Sequence, residues 1–250
     1  LLINAGNESG ILDRGSVHQM GTIIRGENGQ SFPYFFGYKT DGVFQNWGEV
    51  YAYTNAEGKL VQPDAQPGDF RYQDINGDGS ITAEGDRANL GKCVPSWTYG
   101  INASIDWKGI DFSMVWQGVA GNKIFDATRR TDIPTMNQPK YVLNRWTGEG
   151  STNDYPRFTV TDPNQNWSKA SDFFIKDASY FRLKNVTLGY TLPVNWTNKI
   201  FVKKFRVYVA CENALTFTKY DGFDPEIADY VDRGIYPQAR TVQFGANITF

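Results

Sequence analysis

Arg240-Thr241-Val242-Gln243-Phe244-Gly245-Ala246-Asn247-Ile248-Thr249-Phe250 closes the sequence, and its reading decides the fold. Val242, Phe244, Ala246, Ile248 and Phe250 alternate with Thr241, Gln243, Gly245, Asn247 and Thr249. Successive side chains on an extended chain point to opposite faces, so this period of two predicts a strand with one apolar and one polar face. Four other segments carry the same signature. From Tyr99 to Trp107, Tyr99, Ile101, Ala103, Ile105 and Trp107 share one face, with Gly100, Asn102, Ser104 and Asp106 on the other. Lys108-Gly109 then predicts a tight hairpin turn into Ile110, Phe112, Met114 and Trp116, set against Asp111, Ser113, Val115 and Gln117. Val186, Leu188, Tyr190 and Leu192 mark a fourth strand that stops at Pro193. Phe205, Val207, Val209 and Cys211 alternate with Arg206, Tyr208, Ala210 and Glu212 in a fifth, less regular toward its end. The sequence is all-β, with strands expected at about 99–107, 110–118, 180–192, 205–217 and 240–250.

The connections are unequal. One is two residues and another about a dozen, while 1–98, 118–179 and 218–239 are long and rich in Gly, Pro, Asn, Asp and Trp. Short turns at one end and long loops at the other are the habit of membrane β-barrels. No apolar run reaches the roughly 18–20 residues of a spanning helix. The mean hydropathy of −0.47 does not oppose a barrel, whose strands are apolar only at alternate positions. Aromatics make up 15% of the chain, and Tyr99, Trp107, Trp116, Tyr190 and Phe250 fall at strand ends, as rings at a lipid–water boundary do. A soluble sandwich has the same alternation, so a secreted calcium-binding β-sandwich that recognises glycans stands as the alternative. Five strands are too few to close a barrel, which needs about eight, so partner strands are expected upstream. Leu1-Leu2-Ile3-Asn4 is neither an initiator Met nor a signal peptide, which fits a processed chain or part of a longer one.

The 25 basic and 27 acidic residues leave a net charge of −2 and no nucleic-acid footprint. Cys93 and Cys211 are too distant in sequence to suggest a disulfide framework or a zinc cluster, and His18 reads as a solvated loop residue. Asp74-Ile75-Asn76-Gly77-Asp78-Gly79-Ser80 carries more information. Asp74, Asn76 and Asp78 offer side-chain oxygens at positions 1, 3 and 5 of an EF-hand-type loop, Gly79 allows the turn at 6, and the Ser80 carbonyl falls at 7. Position 12 is Gly85, and one inserted residue would bring the Asp86 carboxylate into place. Two readings follow: a structural Ca²⁺ site of Asp74, Asn76, Asp78, Ser80 and Asp86, or an Asx/Gly turn without metal. Either orders a loop and neither is catalytic.

No nucleophile elbow, phosphate loop or zinc-protease motif is present, so no catalytic residue is assigned and the chain is not read as an enzyme. Asp224 and Glu226 could be a glycosidase pair, but beside Pro225 in a long connection they read as a solvated turn. Trp146 and Trp167 could stack on sugars or anchor loops.

A family resemblance joins these pieces. Phe36-Gly37-Tyr38-Lys39-Thr40-Asp41-Gly42-Val43-Phe44-Gln45 resembles a stretch of the SusC-like TonB-dependent outer-membrane transporters. In the same order follow Gly68-Asp69-Phe70-Arg71-Tyr72, the acidic loop, Asp86-Arg87, Leu90-Gly91, Tyr99-Gly100-Ile101-Asn102, Lys108-Gly109-Ile110-Asp111-Phe112 and Gln117-Gly118-Val119-Ala120-Gly121-Asn122. Asp177-Ala178-Ser179-Tyr180-Phe181-Arg182-Leu183-Lys184-Asn185, Leu188-Gly189-Tyr190, Glu212-Asn213-Ala214, Gly222-Phe223-Asp224-Pro225-Glu226 and Phe250 complete it. The resemblance implies the C-terminal part of a 22-stranded transmembrane barrel, with the plug domain and TonB-contacting segment upstream and absent from this chain. It implies an outer-membrane location with extracellular long loops, a SusD-like surface lipoprotein partner, and oligosaccharide or peptide import. It also places the Lys108-Gly109 turn in the periplasm and makes Phe250 part of the signal for barrel insertion.

Overall fold

The computed structural model describes residues 11–17, 20–128, 137–138 and 140–250; His18 lies outside them. Along the chain run β1 (Ile11–Ser16), β2 (Thr22–Glu27), β3 (Tyr34–Tyr38), β4 (Thr40–Val43), α1 (Trp47–Ala52), β5 (Phe70–Tyr72) and β6 (Arg87–Lys92). Then come β7 (Trp97–Trp107), β8 (Ile110–Ala120), β9 (Lys123–Asp126), β10 (Ile175–Asp177), β11 (Tyr180–Thr191), α2 (Val194–Thr197), β12 (Lys204–Thr218), β13 (Val231–Asp232) and β14 (Thr241–Thr249). These elements belong to two compact units: one takes most of 1–94, 123–176 and 229–233, the other 95–122, 177–228 and 234–250.

The second unit is one antiparallel sheet of order β14-β12-β11-β8-β7. Its five strands lie where period-two alternation put them, each within two residues of the expected start and end. Lys108 and Gly109 both have positive φ, 48° and 88°, the backbone of a type I′ turn whose twist matches that of the strands it joins. β11 departs from simple alternation. Its register slips between Leu183 and Asn185 against both neighbours, and Asn213 of β12 has a φ of 51° at the same level. This bulge inverts the phase of the first residues of β11. Phe181 and Leu183 therefore join Val186, Leu188 and Tyr190 on the apolar face, while Arg182 moves to the polar one.

The first unit holds much of what the sequence suggested as irregular connections. Sheets β1-β2-β3-β6, β10-β9-β13 and β4-β5 are built from strands of two to six residues. In β3 all five residues are buried, so the chain shows a continuous aromatic run there and no alternation. Phe35, Phe125 and Phe174 centre one core; Tyr38, Val43, Phe70 and Tyr72 form another; Phe44, Val50 and Ala65 pack under α1. Short strands with both faces covered leave no periodic signal, and this is why the segments read as loops.

Candidate functional site

The register of the large sheet aligns apolar side chains across all its strands. One row runs Ala103, Met114, Val186, Cys211 and Val242. The next runs Ile105, Phe112, Leu188, Val209 and Phe244, and below it Trp107, Ile110, Tyr190, Val207 and Ala246. Above them Trp116 stacks on Phe181 at 4.6 Å, with Tyr99 and Phe217 alongside. Such a surface would be the core of a soluble protein. Here it is bare: Phe244 is 82% exposed, Ile105 63% and Trp107 62%. A continuous apolar face of this size requires a non-aqueous partner.

The opposite face is polar. Ser104, Ser113, Thr187, Ala210 and Gln243 form one row, and Asn102, Val115, Asn185, Glu212 and Thr241 another. Near the hairpin turn, Arg206 of β12 donates from Nε to Asp111 of β8 at 2.8 Å, crossing the intervening β11. It crosses at Gly189, where a Cβ would stand 2.5 Å from both partners; only a glycine leaves room. The polar-face residues read from the sequence, Asn102, Asp111, Gln243 and Asn247, all lie on this face.

At the other end of the polar face, Arg182 organises a buried cluster. Its Nη2 donates to Asp224 at 2.7 Å, its Nη1 to Glu226 at 3.0 Å and its Nε to Thr216 at 2.9 Å. Lys184 adds a bond to Glu226 at 2.7 Å and one to Gln238 at 3.0 Å. Burial pushes the Asp224 carboxyl up, but hydrogen bonds from Arg182 and from the Glu226 and Gln238 N–H groups outweigh it, so the group sits below the usual carboxylate value. Asp224 is thus not the solvated turn residue expected from sequence: it is buried and salt-bridged. A cavity of about 330 Å³ opens beside it, lined in part by Asn213, Phe223, Gln238 and Arg240. The sequence reading missed Arg182 and Lys184 because the bulge hides their face.

In the first unit, the acidic loop is closed by its own backbone. Asp74 accepts from the N–H groups of Gly77 and Gly79, both at 2.8 Å. Asp86, fully buried, accepts from Ile75 and Thr82 N–H, both at 2.7 Å. Asp78 takes the Ser80 N–H and hydroxyl and an Asn76 amide hydrogen, which hold its carboxyl below the usual value. Asp86 thus reaches back into the loop. It does so as a turn acceptor: among the described residues no three His, Cys, Asp or Glu side chains converge as a cation cage. Each of these carboxylates accepts backbone N–H groups, which closes the loop around Asp74, Asn76, Asp78, Ser80 and Asp86.

The same unit holds a buried polar hub at Asp69, which is 0% exposed. Arg157 grips it from two nitrogens, Asn166 donates to it at 2.8 Å and the Gln66 N–H donates at 2.8 Å. Trp167, 2% exposed, donates its indole N–H to the Arg157 carbonyl, and the Trp146 N–H goes to Gln45. Of the two roles open to these tryptophans, the structure gives them loop anchoring.

No family model matches the chain. Relatives and solved structures do. The chain is 31% identical over 238 residues to TonB-dependent receptor P3 of Formosa agariphila, matching 89% of this chain and 22% of that protein. TonB-dependent receptor P26 of the same organism is 30% identical over 279 residues, with all of this chain and 27% of that protein aligned. TonB-dependent receptor SusC of Bacteroides thetaiotaomicron is 24% identical over 229 residues, covering 91% and 21%. In fold, the chain is similar to the RagAB peptide transporter, with a TM-score of 0.71 at 22% identity, covering 96% of this chain and 24% of that one. The RagAB peptide importer in its open-open state gives 0.67 at 22% identity, covering 92% and 24%. The chain spans about a quarter of the length of the curated relatives it matches. In sequence and in fold, then, the chain is similar to part of the TonB-dependent receptors, SusC among them.

Proposed function

We propose that this chain forms part of the wall and the outer loops of a TonB-dependent importer, which carries oligosaccharides or peptides across the outer membrane. The bare apolar face of the large sheet carries the reading. Ten residue steps from Trp97 to Trp107, at about 3.4 Å each, cover roughly 34 Å along the strand. Tilted by about 40°, they span about 26 Å, close to the ~25 Å apolar band of outer-membrane barrels, with an indole at each end. In a sandwich a second sheet would cover this face, and Phe244 would not be 82% exposed.

In this reading further strands complete a 22-stranded barrel, the plug and TonB-contacting segment lie elsewhere in the full protein, and the polar face lines the lumen. Segments 1–98, 118–179 and 218–239 face outside, where a SusD-like lipoprotein caps them. Phe250 belongs to the insertion signal. The test is an outer-membrane fraction run unboiled and boiled on a denaturing gel and probed for this sequence. A heat-dependent shift of a band several-fold heavier than 28.2 kDa is the expected result, and deleting Phe250 should deplete it. A soluble band without a heat shift refutes the barrel.

For the acidic loop the proposed role is loop ordering, with Ca²⁺ the ligand its oxygen chemistry suits. To bind the ion, Asp74, Asn76, Asp78 and Asp86 would turn their remaining side-chain lone pairs to it while the Ser80 carbonyl completed the set. Saturable protection of residues 74–86 from protease by calcium supports a metal loop. Equal protection in chelator means that the N–H groups alone close it.

A further inference from the structure

We infer that the apolar face of the large sheet carries a seat for one phospholipid, with an acyl chain lying over β12 and the phosphate meeting Lys199 and Lys203. The face is not uniform. Val207 and Val209 of β12 are short side chains, set in register between larger ones: Tyr190 and Leu188 of β11 on one side and Phe244 of β14, beside Val209, on the other. With Ile110 these residues outline a groove of about 460 Å³. That is within the range of about 300–1,000 Å³ found for ligand sites. The groove's floor and first wall stand on interior strands of the sheet. Completing a barrel adds strands beside β7 and β14, in the plane of the sheet and not over its face.

Depth and charge choose the occupant. Val209 is only a few residues from Lys204, where β12 begins. Five steps at about 3.4 Å, tilted by about 40°, put it roughly 13 Å from that end, within one leaflet of the ~30 Å hydrocarbon core. The hairpin turn at Lys108-Gly109 is at the same end, and barrels keep their short turns on the periplasmic side, where the leaflet is phospholipid. The mouth of the groove is positive. From Leu192 to Phe205 the chain carries Lys199, Lys203 and Lys204 and no acid. Lys204 falls in the phase of Arg206 on the polar face, whereas Lys203 falls in the phase of Phe205 and Val207. The Lys203 N–H donates to the Thr249 carbonyl at 2.8 Å, so the ladder holds that residue at the groove's end. Neither Lys199 nor Lys203 forms an ion pair with a described residue. Tyr190 leans on the hairpin turn, its ring 3.6 Å from where a Gly109 Cβ would stand, and so sets a phenol at the same boundary. Two ammonium groups above an apolar groove match a phosphate above an acyl chain. A neutral lipid or an apolar protein segment would leave the lysines unmatched. The inference rests on the importer reading for the presence of the bilayer.

The test uses the detergent-solubilised full-length receptor and a phosphatidylglycerol with a photoactivatable diazirine on one acyl chain. Saturable labelling of peptides that contain Leu188, Val209 and Phe244 is expected, displaced by unlabelled phosphatidylglycerol and not by dioleoylglycerol, which lacks the phosphate. Val209→Trp fills the groove and should cut the labelling about tenfold. Lys199→Gln and Lys203→Gln should each weaken it about fivefold. Ile105→Trp, on the same face but outside the groove, should leave it unchanged. The gel heat shift of every variant should match that of the parent. Labelling spread evenly over Ile105, Phe112 and Phe244, or equal displacement by dioleoylglycerol, overturns the seat and leaves an unselective bilayer face. Absence of labelling around Val209 with the heat shift intact also overturns it and marks the groove as covered by protein. Absence of the heat shift in the parent refutes the barrel itself and the seat with it.

Discussion

Replacing Asp224 by Ala removes the centre of the cluster that ties the segment after β12 to the sheet. Its Oδ1 accepts from Arg182 Nη2 and from Glu226 N–H, and its Oδ2 from Gln238 N–H. The Arg182 and Asp224 side chains are each only 4% exposed, so water cannot replace what is lost. Deleting one partner of a buried ion pair costs about 3–5 kcal/mol. Glu226 still stands 3.0 Å from Arg182 Nη1, which puts the expected loss at the lower end, about 3 kcal/mol. At about 1.4 kcal/mol per factor of ten, the open form of this segment becomes roughly a hundredfold more populated. The ladders of β8, β11, β12 and β14 do not depend on Asp224, so the opening is local. Proteolysis tracks the open population when reclosing is fast. Tryptic cleavage at Lys219 should therefore accelerate about a hundredfold in Asp224→Ala and stay within twofold in Asp221→Ala, whose carboxylate is on an exposed residue. Equal rates in the two variants would refute the reasoning. The pH dependence has a definite sign. Because the folded-state value is depressed, the stabilisation is complete above the unfolded carboxyl value of about 3.9 and is lost as pH falls through the folded one. Pepsin digestion at falling pH below about 4 should bring the parent toward the variant.

Other outcomes test separate parts of the molecule. Phe244→Lys puts a charge on the apolar face and should cost about 2–4 kcal/mol in urea unfolding from liposomes, whereas Gln243→Lys should cost far less; equal costs would mean the faces are misassigned. Asp86→Ala orphans the Ile75 and Thr82 N–H groups and should loosen the loop by about 2 kcal/mol, read as faster hydrogen exchange at those amides. Burial pushes the Cys93 thiol up to about 12, so maleimide at pH 8 should leave it unlabelled until the protein is denatured; native labelling would contradict its place in the core.

How much was legible depended on whether a residue's surroundings repeat. Val242 to Phe250 sit in a sheet with one apolar environment on one side and one polar environment on the other, so local alternation is enough to place them. Tyr34 to Tyr38 are buried on both sides, and Phe70, Tyr72, Asp69 and Asn166 meet only in the folded chain, from segments some 96 residues apart. Turn chemistry lay between these extremes. Lys108-Gly109 announced its turn, and the acidic loop announced its shape. Whether its carboxylates face an ion or the loop's own N–H groups is decided by geometry that a motif of residue types does not encode.

Arg182 and Lys184 were hidden by a single physical cause, the break in a pattern. Extrapolating the alternation of Val186, Leu188 and Tyr190 backward places Arg182 and Lys184 on the apolar face, where a charge is costly. One inserted residue in β11 turns them onto the polar face, toward Asp224 and Glu226. The bulge and the ion cluster are thus one device, since without the phase change Arg182 would have no acid to meet. Tryptophan carried a similar ambiguity. Composition cannot distinguish Trp146 and Trp167, whose N–H groups are satisfied inside the fold, from Trp47, which stacks on Tyr51 and stays half exposed. In both cases the informative residue is the one whose surroundings differ from those of its chemical twins, and only the folded chain supplies that comparison.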